Sequence, residues 1–372
     1  MIHLARLWGI GVRLHWSVLS VVAVLVLGLG FARFPVAFPD RSGAAYLLAG
    51  LGAAVGFLAS LLAHELAHAV VARREGRRVE GITLWMLGGL ASLRGDARTP
   101  GEDFRVAAVG PATSVLAAAV FGLAATLAEA AGTDALATGV LAYLTLANVV
   151  LAVFNLLPAA PLDGGRILRA ALWRRWGDRH RATVVSADVG RGFGVGLVVL
   201  GGLALVTGRA DGLWLAMVGV FIAVAATAER WQAELGAALS HLRVRDVMTP
   251  DPVTADGAQA VGPFLRDLAP ARGHSAFPLV DEVGRLQGLI TLDRLKDVPV
   301  DRRDVTALRD VACPPADVTV SGPDEPLPDL LSDLDGRADG RALVVDGGRL
   351  VGIVSPSDIT RAAVLHGPGA GR

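Results

Sequence analysis

The chain has 372 residues with 35 basic and 35 acidic side chains, and 53% of it is hydrophobic. That hydrophobic share is too high for an ordinary soluble protein, and zero net charge offers no basic field to nucleic acid, so no nucleic-acid partner is expected. A single cysteine, Cys313, excludes an internal disulfide and any metal site built of cysteine alone.

A bilayer core takes roughly 20 apolar residues per helix. Six stretches meet or approach this length, at about 14–32, 44–72, 104–131, 135–157, 190–208 and 212–229. The first is read as a retained span, since no small-residue cleavage site follows it before Arg33. Arginine concentrates between the second and third spans (Arg73, Arg74, Arg77, Arg78) and between the fourth and fifth (Arg166, Arg169, Arg174, Arg175, Arg179, Arg181). The opposite loops are poor in it, so the charge bias predicts a multi-pass protein of the cell membrane, in contact with lipid, with both termini cytoplasmic. Ile82–Leu93 is too short to span. It reads either as a re-entrant hairpin offering a strand edge or as an interfacial loop anchored by Trp85.

Past residue 230 the apolar runs shorten and charge rises. The expected division is a membrane domain over 1–230, a linker over 231–245 and a cytoplasmic α/β region over 246–372.

Inside the second stretch stands His64-Glu65-Leu66-Ala67-His68. Residues four apart share a helix face, so His64 and His68 can present imidazole nitrogens to one metal while Glu65 reaches an adjacent water. A chance HExxH on a helix and a buried ion-pair role are the plainer readings. Each ionisable group at mid-bilayer costs about 2.5–3.5 kcal/mol, so three together in an apolar span call for a compensating function.

Catalytic zinc takes three protein ligands and leaves one position open. Asn155-Leu156-Leu157-Pro158-Ala159-Ala160-Pro161-Leu162-Asp163-Gly164-Gly165 ends the fourth stretch, and its carboxylate lies near the same interface as His68. The alternative reading is a helix exit in which Asp163 pairs with a nearby arginine. His180 is a second candidate ligand in a less suitable, arginine-rich setting.

The two motifs together resemble the site-2 protease family of intramembrane zinc metalloproteases, whose NxxPxxxLDG pattern is matched by Asn155, Pro158, Leu162, Asp163 and Gly164. The resemblance extends over residues 1 to about 230, through Leu14-His15-Trp16-Ser17, Gly88-Gly89-Leu90-Ala91-Ser92 and Gly110-Pro111-Ala112-Thr113-Ser114. Alone, these last patterns read as close helix packing. The resemblance implies one catalytic Zn2+ held by His64, His68 and Asp163, Glu65 as general base, and Asn155 assisting the intermediate or an extended substrate. It also implies cleavage in or near a transmembrane helix of a single-span protein, such as a membrane-tethered transcriptional regulator.

Downstream, Val247-Met248-Thr249-Pro250 recurs as Val311-Ala312-Cys313-Pro314, and Gly288-Leu289-Ile290-Thr291 as Gly352-Ile353-Val354-Ser355, both at an offset of 64 residues. The two units, about 246–300 and 310–366, resemble a tandem CBS pair. That resemblance implies an adenine-nucleotide site through Ser355 and Asp358. In the first unit Thr291 is followed by Arg294 where the aspartate is expected. A module that only packs or dimerises, giving a homodimer, remains open.

The expected fold is therefore a polytopic α-helical membrane domain of about six transmembrane helices followed by an α/β tandem CBS pair. The expected function is zinc-dependent intramembrane endopeptidase activity under CBS control. A CBS-regulated metal or ion transporter is the alternative, and a non-cleaving scaffold a third reading.

Overall fold

The computed structural model describes residues 2–7, 9–86, 88–94, 97–267, 274–281, 285–334 and 338–366, and the chain divides into two units, Met1–Arg230 and Trp231–Arg372. The first opens with strands β1 (Ile2–Leu7) and β2 (Ile10–Leu14), joined about Gly9 at φ +82°. Helix α1 (Val18–Leu27) runs through a π-helical segment, Gly28–Arg33, into α2 (Phe34–Ala37), and together they make the first span, Val18–Ala37. Expected at 14–32, this span is shifted because Leu14 is claimed by β2 and because an arginine near a span end can reach the interface.

Five further helices are long and apolar enough to cross a bilayer: α3 (Gly43–Arg74), α4 (Pro100–Ala130), α5 (Ala135–Leu156), α7 (Arg179–Val206) and α8 (Gly212–Leu239). Their starts follow from local chemistry. Ser42, Thr99, Asp134 and Asp178 each accept a hydrogen bond from a first-turn N–H of α3, α4, α5 and α7. Large apolar side chains such as Val24, Leu116 and Leu203 are exposed on the outer faces, where lipid rather than water solvates them.

In two segments the structure adds detail to readings that the sequence left open. The stretch after Asn155 is no simple exit, because α6 (Asp163–Trp176) begins at the aspartate itself and ends at Gly177 in the left-handed region. Its arginines make it too polar to span. Residues 82–85 and 88–93 belong to β3 (Arg78–Trp85) and β4 (Gly88–Arg94), which complete a four-stranded sheet in the order β1-β2-β3-β4. The β2/β3 pair is parallel, with Val12 opposite Ile82, and β3/β4 is antiparallel, with Thr83 opposite Leu90. β4 is an edge strand. The Leu14-His15-Trp16-Ser17 motif joins this sheet to the first span: His15 N–H donates to the Leu84 carbonyl at 2.8 Å, and Ser17 Oγ accepts the Met86 N–H at 3.1 Å.

The second unit contains two α/β repeats. The first holds β6 (Ala255–Asp256), β7 (Ala276–Val280) and β8 (Leu286–Thr291), and the second β9 (Thr319–Ser321), β10 (Ala342–Asp346) and β11 (Arg349–Val354). In each, a parallel pair is followed by an antiparallel one. β5 (Thr249–Pro250), ahead of the first repeat's sheet, pairs with β11 of the second, Thr249 opposite Ile353, while Cys313 bridges back to Leu289. These reciprocal pairs are related by the 64-residue offset. Phe264, Phe277 and Leu279 centre one core, and Leu327, Val344 and Val354 the other.

Candidate metal centre

His64 and His68 lie on one face of α3, and Asp163 stands at the first position of α6. The two Nε2 atoms are 3.2 Å apart, and each is 3.2 Å from Asp163 Oδ2. A tetrahedral zinc with nitrogen and oxygen ligands at about 2.0–2.1 Å spaces its ligand atoms roughly 3.3 Å apart, so this equilateral triangle fits the ion. The residues are 3%, 6% and 8% exposed. Among the described residues they form the one group of three or more His, Cys, Asp or Glu side chains arranged to hold a metal. His180, at the start of α7, is not part of it.

The orientation of the imidazoles comes from α4. His68 Nδ1–H donates to the Val106 carbonyl at 2.6 Å, and His64 Nδ1 lies 2.9 Å from Ser114 Oγ. A carbonyl can only accept, so the Nδ1 proton is fixed and Nε2 keeps its lone pair for the metal. Between these contacts α4 passes directly behind the triangle at Gly110. A Cβ there would stand 2.2 Å from His68 Nε2 and 2.6 Å from His64 Nε2. Gly110→Ala is therefore expected to push the imidazoles off position and weaken zinc binding by about tenfold or more, the scale of a lost orienting contact, measured as metal retained against a competing chelator.

The Leu-Asp-Gly-Gly segment presents Asp163 by folding tightly on the end of α5. A Cβ on Gly164 would meet the Leu157 carbonyl at 2.2 Å, and one on Gly165 the Ala160 nitrogen at 2.4 Å. The glycines are required here by close backbone approach. Glu65 follows His64 on α3, half-buried, and is not one of the three triangle residues. Its carboxyl abuts β4 at Gly89, whose added Cβ would lie 2.7 Å from Glu65 Oε1. Asn155 donates through Nδ2 to the Leu151 carbonyl of its own helix at 3.0 Å.

In the second unit, Ser355 donates through N–H and Oγ to Asp358 Oδ2 at 2.9 and 2.6 Å. Thr249 donates to Asp358 Oδ1 at 2.9 Å, and Arg361 pairs with the same carboxylate. Thr291 instead donates to Asp339 Oδ2 at 2.6 Å, so its hydroxyl is engaged by a carboxylate from the other repeat.

Sequence reasoning missed Ser114, the Val106 carbonyl and Thr249 as partners. Gly110-Pro111-Ala112-Thr113-Ser114 carried a signal for the first, since a glycine and a serine four apart on an apolar helix share one face. No side-chain pattern can announce a backbone carbonyl.

Comparison with known proteins gives the family of each part of the chain. The peptidase family M50 profile matches residues 52–139 and 122–197, and the CBS domain profile matches 244–301 and 308–365. A Mycobacterium tuberculosis protein carrying the name zinc metalloprotease Rip3 is 43% identical over 97% of this chain and 92% of its own length. A Synechocystis protein bearing a zinc metalloprotease name is 29% identical over 97% of this chain and 94% of its own. The solved site-2 protease from Methanocaldococcus jannaschii aligns with 62% of this chain and 94% of its own at a TM-score of 0.42 and 26% identity. With its six apolar helices, its HExxH and Leu-Asp-Gly signatures, its matching family profiles and a relative 43% identical over nearly its whole length, the chain belongs to the site-2 protease family of multi-pass membrane zinc metalloproteases, with a C-terminal pair of CBS domains.

Proposed function

We propose that the chain is an intramembrane endopeptidase in which His64, His68 and Asp163 hold one zinc ion and Glu65 is the general base. The observation that carries this reading is the buried triangle of 3.2 Å edges with a glutamate beside it that is not a member. Zinc held there would supply a water of lowered pKa, near 7, and would polarise a carbonyl. Glu65 takes the proton of the attacking water and delivers it to the leaving amine. Asn155, on the helix that leads into the Asp163 segment, assists by hydrogen bonding to the intermediate or to extended substrate.

A helix hides its peptide carbonyls in internal hydrogen bonds, so a transmembrane substrate must unwind before attack. β4 supports a way to hold the unwound segment, being an edge strand whose Gly89 touches Glu65, so an added strand would run beside the base. The substrate class is a single-span protein such as a membrane-tethered regulator, and the arginine bias supports cytoplasmic termini. The reading is tested with protein reconstituted in lipid and a panel of single-span substrates. Chelator-sensitive, zinc-restored cleavage at a bond in or near the span is expected, and intact substrates with fully zinc-loaded enzyme would refute it.

The second CBS repeat takes an adenine nucleotide through Ser355 and Asp358, on the support of their joint hydrogen-bonded cluster with Thr249. Thr291 is followed by Arg294 at the position where the second repeat has Asp358, which leaves the first repeat a poorer site. The membrane domain is thus regulated by nucleotide at one site per chain, with dimerisation through the CBS pair as the associated assembly. Asp358→Ala is expected to abolish ATP or AMP binding measured by calorimetry on the full chain, and unchanged binding would exclude this site.

A further inference from the structure

Four residues of α4 fall at 103, 106, 110 and 114, spacings of three, four and four that keep them on one helix face. Three of them face the histidines of the metal triangle: the Val106 carbonyl holds His68, Ser114 holds His64, and Gly110 leaves the gap for both Nε2 atoms. The fourth, Asp103, holds the helix that supplies the third corner. Its side chain is 1% exposed, and the carboxylate accepts two bonds of 2.8 Å from Arg169 of α6, through Nε to Oδ2 and Nη2 to Oδ1. Arg166 approaches the same Oδ1 at 3.9 Å, and Glu229 of α8 meets Arg169 Nη1 at 3.3 Å.

A buried ion pair is a poor way to gain stability, because the desolvation cost offsets most of the attraction and apolar packing serves as well. What it supplies is geometry. The planar guanidinium fork donates both bonds to a carboxylate in one relative position, fixing both the separation and the rotation of the two helices. Asp163, Arg166 and Arg169 follow at intervals of three along α6, so whatever fixes Arg169 also fixes where the first residue of that helix points. From the side of α7, Ser186 Oγ donates to the Gly165 carbonyl at 2.6 Å and steadies the same turn.

We infer that the Asp103–Arg169 pair is the positioning device for the metal centre: it sets α6 on α4 so that Asp163 completes the triangle whose other two corners the same stripe of α4 already orients. This inference rests on the reading of Asp163 as a zinc ligand. Neither Asp103 nor Arg169 is one of the three triangle residues. Their role is to make one helix face the common template for all three ligands.

The test is metal binding by the full chain in lipid nanodiscs, stripped and then titrated with Co2+ for its visible spectrum and with Zn2+ against a chelator. Asp103→Asn is expected to raise the zinc dissociation constant by about tenfold or more, the scale of a lost orienting contact, and to alter the Co2+ bands. Arg169→Lys keeps the charge but cannot make both bonds, so it is expected to shift affinity and spectrum in the same direction by less. Glu75→Gln breaks the exposed pair that Glu75 makes with Arg105 of α4, and is expected to leave both readouts unchanged.

Should Asp103→Asn fail to fold, Arg169→Lys decides, since its buried carboxylate keeps a cationic partner. Wild-type affinity and spectrum in folded Arg169→Lys would overturn the inference. Asp163→Ala separates it from the ligand reading: wild-type zinc binding there refutes the ligand assignment, and with it this inference. Zinc loss in Asp163→Ala alone refutes only the positioning role.

Discussion

Glu65→Gln is expected to lower the cleavage rate by about 10²–10⁴, the contribution of a placed general base, while zinc content stays at the wild-type level. The amide preserves size and hydrogen bonding, so the helix and the contact with Gly89 are kept, and what is lost is the ability to take a proton. Because Glu65 stands outside the His64, His68 and Asp163 triangle, its replacement removes no ligand. The measurement pairs turnover of a reconstituted single-span substrate with metal analysis of the same preparation. Undiminished turnover in the variant would remove Glu65 from the role of base. Loss of zinc together with turnover would show that it holds the ion.

This centre was legible in the sequence because its chemistry is carried by side chains at fixed intervals. Imidazoles four apart on an apolar helix, and a carboxylate between proline and glycine, each state a local geometry that tertiary packing only has to bring together. The 64-residue repeat was legible for the same reason, since identical roles recur at identical offsets, as the Thr249–Ile353 and Cys313–Leu289 pairs show. Less accessible was what depends on partners far apart in the chain. The strands of residues 2–14 are too short and too close to an apolar run to announce themselves, and only pairing of β2 with β3, seventy residues apart, gives them a sheet. Helix α6 was obscured because two prolines precede it and arginines fill it, signals that read equally well as a loop. The role of the buried Asp103 depends on Arg169, 66 residues further along the chain, and no local pattern announces it.

Asp163→Asn is expected to produce the other kind of inactive protein, one that has lost its zinc. Asparagine keeps the shape and one hydrogen-bonding oxygen but removes the negative charge, leaving two neutral imidazoles to hold a divalent cation. The structural side effect is small: the carboxylate at the first turn of α6 also meets the positive helix end, a term of about 0.3–1 kcal/mol in exposed settings. Loss of a ligand outweighs this, since even an outer partner of a ligand is worth about 10–100-fold in affinity. The zinc dissociation constant is accordingly expected to rise more than about 100-fold, and cleavage to vanish at zinc concentrations that saturate the wild type. High zinc should restore some metal to Asp163→Asn but no activity to Glu65→Gln, so the two variants fail for distinguishable reasons. Retention of zinc and turnover by Asp163→Asn would mean that the third ligand comes from elsewhere. His180, the other candidate visible in the sequence, would then be the residue to replace next.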